Sequence, residues 1–419
     1  MQFSLVGINH QTAPITIRER VAISGNSLCD TLSLLHSYVP QAAILSTCNR
    51  TEIYTATDSS GDDAEKAILA FLKASLNVPD DELLKYAYVS RNTEAARHLF
   101  RVTSGLESMI VGEHEVLGQV RQALETAEKI GMVNLPLRQA FYGAIRTGRR
   151  VREETGISKN ALSVSSVAVD LAAGAAGDLR KCRMLVIGAG EAGKLVAKIA
   201  RERGVSQIVI ASRTKERDRV LASALHGIAT DMSNMSKELD TANIVVTCAG
   251  APHRILDFHK IDGAMKNRPD LPLVIIDIAL PRDVEPEVGN IRNVFLYNID
   301  GLTEIANLNR KQRENEINRA EEIVMDEVDK LASWWQDYEI RPLVGALMRR
   351  AEKIRSAQLN KTLNKLPPLS DEQRENLEAM TKSIVTRLLK DPVRYLKTNG
   401  NSHHAEMVKE LFNLNAERL

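Results

Sequence analysis

Cysteine is scarce in this chain. The 419 residues contain four, Cys29, Cys48, Cys182 and Cys248, scattered and without CxxC spacing. That argues against a zinc ribbon and against a disulfide scaffold, and no metal site is expected. Free thiols fit a reducing, cytoplasmic compartment. No apolar run reaches the ~20 residues that span a bilayer, so no membrane partner is expected. The opening MQFSLVGINHQTAPIT has neither a basic region nor a long apolar stretch, which argues against a secretory signal. An excess of one charge is missing too: 55 basic residues face 54 acidic ones. Binding of a polyanion by bulk charge is excluded, but a local basic patch is not. Internal repeats and low-complexity segments are lacking. What remains is length for two or three domains and 44% hydrophobic residues, enough for sizeable cores.

Three regions follow. Residues 1–155 read as an α+β domain. FSLVGINH and AAILST have the composition of strands, and TEIYTAT alternates with period two, as a half-buried strand does. From Asn92 to about Gly131 the pattern is helical, with Gly105 either ending a helix or permitting close packing. Residues 156–300 alternate strands (MLVI, QIVIASRT, ANIVVTCAG, LVIIDIAL, NVFLYNID) with helical segments, which implies a parallel α/β sheet covered on both faces. Residues 301–419 are polar and helical. Ile317, Ala320, Ile323, Val324, Val328 and Leu331 step by three and four to give one apolar stripe. A helix running from about Ile305 to Trp335 is too long for one globule and is expected to bridge domains or pair with a second copy. NKLPPLSD breaks it, and further amphipathic helices follow.

GAGEAG places Gly188, Gly190 and Gly193 in GxGxxG spacing, directly after the strand MLVI and at the start of the helix KLVAKIAR. In that context the first glycine makes the turn, the second lets backbone approach a pyrophosphate, and the third lets helix and strand pack. Ala189, Glu191 and Ala192 complete the loop. An NAD site expects an acidic residue at the end of the next strand, but this strand ends in Ser212, Arg213 and Thr214. A cation suits a 2′-phosphate, so the cofactor expected is NADPH.

LSTCNRTEIY carries Cys48 at a strand end. A thiolate attacks an activated acyl group to give a thioester, a far better hydride acceptor than a carboxylate. Arg50 beside it is expected to favour the thiolate. Alternatively Cys48 is a half-buried core residue. The chain would then be a dehydrogenase of a small hydroxy acid, or an NADP-binding adaptor built on the long helix. RTGRRVREETG sets Arg146, Arg149, Arg150 and Arg152 along a helix, either to meet nucleic-acid phosphates or simply as a solvated face.

GINHQTAPITIRERVAI, LSTCNRTEIY, HLFRVTSGLESMIVGEHEVLGQV, VIGAGEAG and DIALPRDVEPEVG appear in this order. Together they resemble the bacterial glutamyl-tRNA reductases. The long helix and the DPVRYLK tail are similar as well, so the resemblance covers essentially the whole chain. The resemblance implies that Cys48 attacks the ester of glutamate-charged tRNA and that free tRNA leaves. NADPH then reduces the thioester to glutamate-1-semialdehyde, which feeds 5-aminolevulinate and the tetrapyrroles. It casts His98 as important for activity, orienting substrate or shuttling a proton. It places Thr47, Asn49, Arg50, Ser108, Glu113, His114, Glu115 and Gln119 around the glutamyl group, with Arg50 on a carboxylate, and His10 as structural. It also implies a homodimer held by the C-terminal helices, with glutamate-1-semialdehyde aminomutase as a candidate partner. One departure stands out: where the family has Gly-Glu-Pro-Gln or Gly-Glu-Asp-Gln, this chain has Gly-Glu-His-Glu, which leaves the role of Glu115 open.

Overall fold

The structure, a computed structural model, describes residues 1–25, 27–57, 61–76, 80–158, 163–213, 215–251, 253–302, 313–399 and 402–414. They form two compact units, Met1–Val328 and Asp329–Leu419.

The first unit begins with an antiparallel sheet of β1 (Gln2–Asn9), β2 (Ala43–Ser46), β3 (Arg50–Thr57) and β4 (Tyr88–Arg91), in the order β2-β3-β1-β4. The alternation in TEIYTAT suggests one solvated face, yet every residue of β3 is buried. The polar members of β3 therefore lie inside, where they need partners. Helices Gly61–Leu76, Asn92–Thr103, Glu115–Ile130 and Leu135–Glu154 pack on this sheet. The helical pattern after Asn92 is interrupted, because residues 104–114 form turns and bends. Gly105 and Gly112 both take positive φ there, +77° and +87°. A Cβ on Gly112 would stand 2.0 Å from the Ile157 carbonyl oxygen. Gly105 thus ends the helix and starts a loop that carries Ser108 and Glu113.

A six-stranded sheet follows: β5 (Arg183–Ile187), β6 (Gln207–Ser212), β7 (Ile228–Asp231), β8 (Ile244–Thr247), β9 (Leu273–Asp277) and β10 (Val294–Asn298). Every pair is parallel, in the order β10-β9-β8-β5-β6-β7. The strand order reverses at β5 and β8, so a crevice opens beyond their carboxyl ends, where open α/β sheets bind ligands. The strands that composition did not announce, β4 and β7, are edge strands with exposed residues.

The helix Glu314–Leu363 begins in the first unit and continues into the second. Residues 305–312 of the helix expected from Ile305 lie outside the described residues. In the first unit this helix is held by its acidic residues: Glu321 pairs with Arg101, and Glu327 with Arg146 at 2.7 Å. The second unit adds helices Asp371–Asn399 and Ser402–Leu411 around a small core of Ile340, Leu343 and Leu396. Met380, Ile384, Leu388 and Tyr395 remain exposed on Asp371–Asn399. No described helix is long and apolar enough to cross a membrane.

Candidate active site

Cys48 sits at the tip of the β2–β3 hairpin. Ser46 pairs with Thr51, and the Thr47 N–H donates to the Arg50 carbonyl at 2.8 Å, which leaves Cys48 and Asn49 as the turn. The Asn49 N–H donates to Thr47 Oγ1, and the His10 N–H to the Asn49 carbonyl. A hairpin tip fixed on both flanks explains why the strand ends where the thiol is.

Behind the tip lies a buried charge network. Arg50, Glu52 and Tyr54 alternate along β3 and so share a face. The Glu52 carboxylate accepts from Arg50 Nη1 at 2.7 Å, Tyr54 and Tyr88 at 2.5 Å each, and His98 Nε2 at 2.8 Å. Burial works against its charge, but Arg50 and then His98 hold its carboxyl far below the usual range. Gly7, on the strand between Glu52 and Tyr88, makes room for this: a Cβ there would come within 2.9 Å of both. Arg50 Nη2 also donates to the Glu107 carbonyl at 2.5 Å, tying the hairpin to the 104–114 loop. Arg152 pins the other end of that loop by donating to the Glu113 carbonyl at 3.0 Å and the Thr103 carbonyl at 2.9 Å. Arg146 and Arg150 are engaged with Glu327. Of the four arginines that composition grouped as one positive face, these three are therefore tied into the protein, while Arg149 is exposed.

One cavity of about 920 Å³ is lined by Thr47, Cys48, Asn49, Arg50, Ser108, Glu113, His114, Glu115 and Gln119. Its far wall is Glu191, Ala192, Lys194, Leu195 and Lys198 from the helix after the glycine loop, with Ile278 after β9. His98 is not among the lining residues; it reaches the site only through Glu52 and Arg50. Asn49 Oδ1 is buried without a hydrogen-bond partner among the described residues. Burial first, and Glu113 second, push the Cys48 thiol up to about 12, overriding the opposite pull of Arg18 and Arg50. The thiolate expected from Arg50 is therefore not the resting form, because burial and Glu113 outweigh the pull of that cation. Burial, reinforced by Glu115, raises Glu113 to about 7 against a hydrogen bond from Ser108. Glu115, the departure from the family pattern, is the exposed first residue of the helix Glu115–Ile130, where the helix dipole favours a carboxylate.

The glycine loop fits a dinucleotide. Gly188 has φ +115° and turns the chain. A Cβ on Gly193 would lie 1.8 Å from the Gly188 carbonyl oxygen, so helix and strand close only around glycine. Gly190, by contrast, meets nothing within 4 Å, leaving open space at the helix N-terminus, where backbone N–H groups suit phosphate. Ala189 is buried under the turn. Arg213 is exposed at the end of β6, beside Ser212, and Thr214 lies outside the described residues.

Residue spacing had not pointed to Glu52, Tyr88, Arg18, Lys194 or Lys198. Only Glu52 carried a signal, its two-residue offset from Arg50 on a strand.

A thiol and a dinucleotide loop facing one cavity define an oxidoreductase. Residues 6–155 match the family model for the N-terminal domain of glutamyl-tRNAGlu reductase, residues 170–305 that for shikimate/quinate 5-dehydrogenase, and residues 319–414 that for the reductase dimerisation domain. The chain is similar to the glutamyl-tRNA reductase of Natranaerobius thermophilus, with 37% identity across 100% of this chain and 93% of that one. It resembles that of Syntrophobacter fumaroxidans at 38%, across 98% and 90%. Among solved structures, the glutamyl-tRNA reductase from Methanopyrus kandleri matches with a TM-score of 0.52 and 32% identity, covering 99% of both chains. The chain belongs to the glutamyl-tRNA reductase family.

Proposed function

We propose that this protein reduces the glutamyl ester of charged tRNA to glutamate-1-semialdehyde through a thioester on Cys48, supplying 5-aminolevulinate for tetrapyrroles. The observation that carries this reading is the single cavity lined by both Cys48 and the helix of the glycine loop. Cys48 Sγ bonds to the ester carbonyl carbon, the bond to the tRNA 3′ oxygen breaks, and the thiol proton ends on that oxygen. The resting thiol is neutral, so it needs a proton acceptor. Glu113, raised to about 7 in the same cavity, is the group poised for that task. Asn49 Oδ1, an orphan acceptor, takes the α-ammonium group of the glutamyl moiety, and Arg50, which lines the same cavity, serves its carboxylate. Ser108, His114, Glu115, Thr47 and Gln119 wall the remaining space. His98 acts at one remove, by holding Glu52 and hence Arg50.

Gly188–Gly193 would hold a nicotinamide dinucleotide, which would supply the hydride. Arg213 makes NADPH the preferred form. The C–S bond of the reduced adduct then breaks with its electron pair left on Cys48 Sγ, which takes a proton from water to restore the thiol as the aldehyde leaves. The domain limits follow the roles: 1–155 for the thiol, 156–300 for the dinucleotide, and 301–419 for a homodimer whose contact includes the exposed stripe of Met380, Ile384, Leu388 and Tyr395. The enzyme works in the cytoplasm and passes its reactive aldehyde to the next enzyme, an aminomutase.

NADPH oxidation with glutamate-charged tRNA tests the reading, with uncharged tRNA as control. Charged tRNA without NADPH should leave a glutamyl adduct that mass spectrometry assigns to Cys48. An adduct on Cys29, Cys182 or Cys248 would overturn it.

A further inference from the structure

Two neighbouring residues join the thiol domain to the dinucleotide domain, and the mechanism above uses neither as a reacting group. Arg18 and Glu19 belong to the short helix Ile15–Val21. Glu19 receives five hydrogen bonds from loops beyond β8 and β9, the longest from Arg254 Nη2 to Oε2 at 3.5 Å. Its Oε1 accepts from the Arg282 backbone N–H at 2.6 Å, Arg282 Nε at 2.9 Å and Arg254 Nη1 at 3.0 Å. Its Oε2 accepts from Arg282 Nη2 at 2.9 Å. The two closest side chains are well shielded, Glu19 at 11% exposure and Arg282 at 13%. Arg254 also donates to the Arg282 carbonyl, so the two arginines form one receptor. Burial alone would raise the Glu19 carboxyl, but the bonds from Arg282 and Arg254 hold it down at about 2. Arg18 faces the other way round: its guanidinium pairs with Asp300 after β10 and donates from Nη1 to the Cys48 carbonyl at 2.8 Å.

Adjacent residues of opposite sign thus meet opposite signs on the dinucleotide domain, and one of them also grips the residue that carries the thiol. Desolvated, bidentate pairs of this kind fix geometry even where their net contribution to stability is small. The thioester has two fates. Hydride gives the aldehyde. Water instead adds to the carbonyl, the C–S bond breaks, and free glutamate leaves with the thiol restored. Which fate wins depends on whether the dinucleotide domain is seated against Cys48. We propose that Arg18 and Glu19 form an electrostatic latch that keeps the dinucleotide domain closed over Cys48 and so commits the thioester to reduction rather than hydrolysis. The latch rests on the thioester reaction proposed above. Glu19 is its positioning residue and touches no reacting atom.

Glu19→Gln keeps the shape and removes the charge, and Arg254→Ala removes the outer prong. Full-length protein is loaded with the glutamyl group from charged tRNA, the Cys48 adduct is timed by mass spectrometry, and NADPH is then added. The latch predicts wild-type acylation in both variants. It predicts slower reduction, by about a hundredfold for Glu19→Gln and less for Arg254→Ala, with free glutamate replacing semialdehyde. Without cofactor or substrate, hydrogen exchange at the Arg282 amide should accelerate in Glu19→Gln. Wild-type partitioning despite a freed Arg282 amide would overturn the latch. So would a folded Glu19→Gln that fails at acylation, since Glu19 would then serve the thiol itself. If the wild type forms no Cys48 adduct, the thioester reading fails first and the latch falls with it.

Discussion

The two halves of the cavity are built from different materials. On the thiol side, Arg50, Tyr54, Tyr88 and His98 hold one another in a buried network around Glu52. On the dinucleotide side, one loop of six residues does the work with backbone and with missing side chains. The first kind of site depends on every partner being present, because a buried charge left alone is costly. The second depends on space, because a methyl group in the wrong place meets a carbonyl oxygen.

The largest effect expected on the thiol side is from Cys48→Ser. It should lower reductase activity by roughly a thousandfold or more while cofactor affinity, measured by fluorescence titration, stays unchanged. If cofactor affinity falls as well, the two halves are energetically coupled.

Glu52→Gln strikes the network itself. It strands Arg50, which is 3% exposed, and should cost about 3–5 kcal/mol in urea unfolding. His98→Ala removes one donor to Glu52 and should cost about 1–3 kcal/mol, lowering activity with it. A His98→Ala protein of unchanged stability but lost activity would instead put the imidazole in contact with substrate.

The glycine loop gives the opposite signature. Gly193→Ala, whose Cβ would stand 1.8 Å from a carbonyl oxygen, should destabilise the fold by about 1–3 kcal/mol. Gly190→Ala has open space and should melt within about 0.5 kcal/mol of wild type, yet bind cofactor about tenfold more weakly. Equal melting of the two variants would remove the distinction between a packing glycine and a phosphate glycine.

Acidity separates two carboxylates within the first unit. Glu113 is raised from 4.5 to about 7, so its contribution to stability is complete below about 4.5 and is lost as pH rises through 7. Glu19 is lowered to about 2, so its contribution is present above 4.5 and lost as pH falls toward 2. Glu113→Gln should therefore flatten the stability profile between pH 4.5 and 7 and gain on the wild type at pH 8, by on the order of 2 kcal/mol. The smallest effect expected is at the rim: Arg213→Glu should shift preference from NADPH toward NADH by about tenfold in Kd ratio, about 1.4 kcal/mol.

Much of the dinucleotide half was legible from the order of residues alone. GAGEAG, the strand before it and the helix after it are contiguous, so their chemistry and spacing are written in one line. The apolar runs of β5, β6, β8 and β9 are buried on both faces and announce themselves. The short edge strands Tyr88–Arg91 and Ile228–Asp231 do not, because their exposed residues carry no apolar run. In the thiol half the sequence marked Cys48 and the segments around it, and the cavity brings most of those residues together. It did not mark which charges neutralise which. Arg50 reads as a free cation beside the thiol until the strand pleat puts Glu52 on the same face and Tyr88 reaches it past Gly7.

Local pattern and covalent spacing suffice for the buried strands, the order of the three regions, the glycine turn and the thiol at a strand end. Folding alone leaves Cys48 a neutral thiol, sets His98 behind Glu52, and lets Arg18 and Glu19 reach Asp300, Arg254 and Arg282 across hundreds of residues. Burial and the pairing of charges depend on what folding brings into contact, and that is a property of no segment alone.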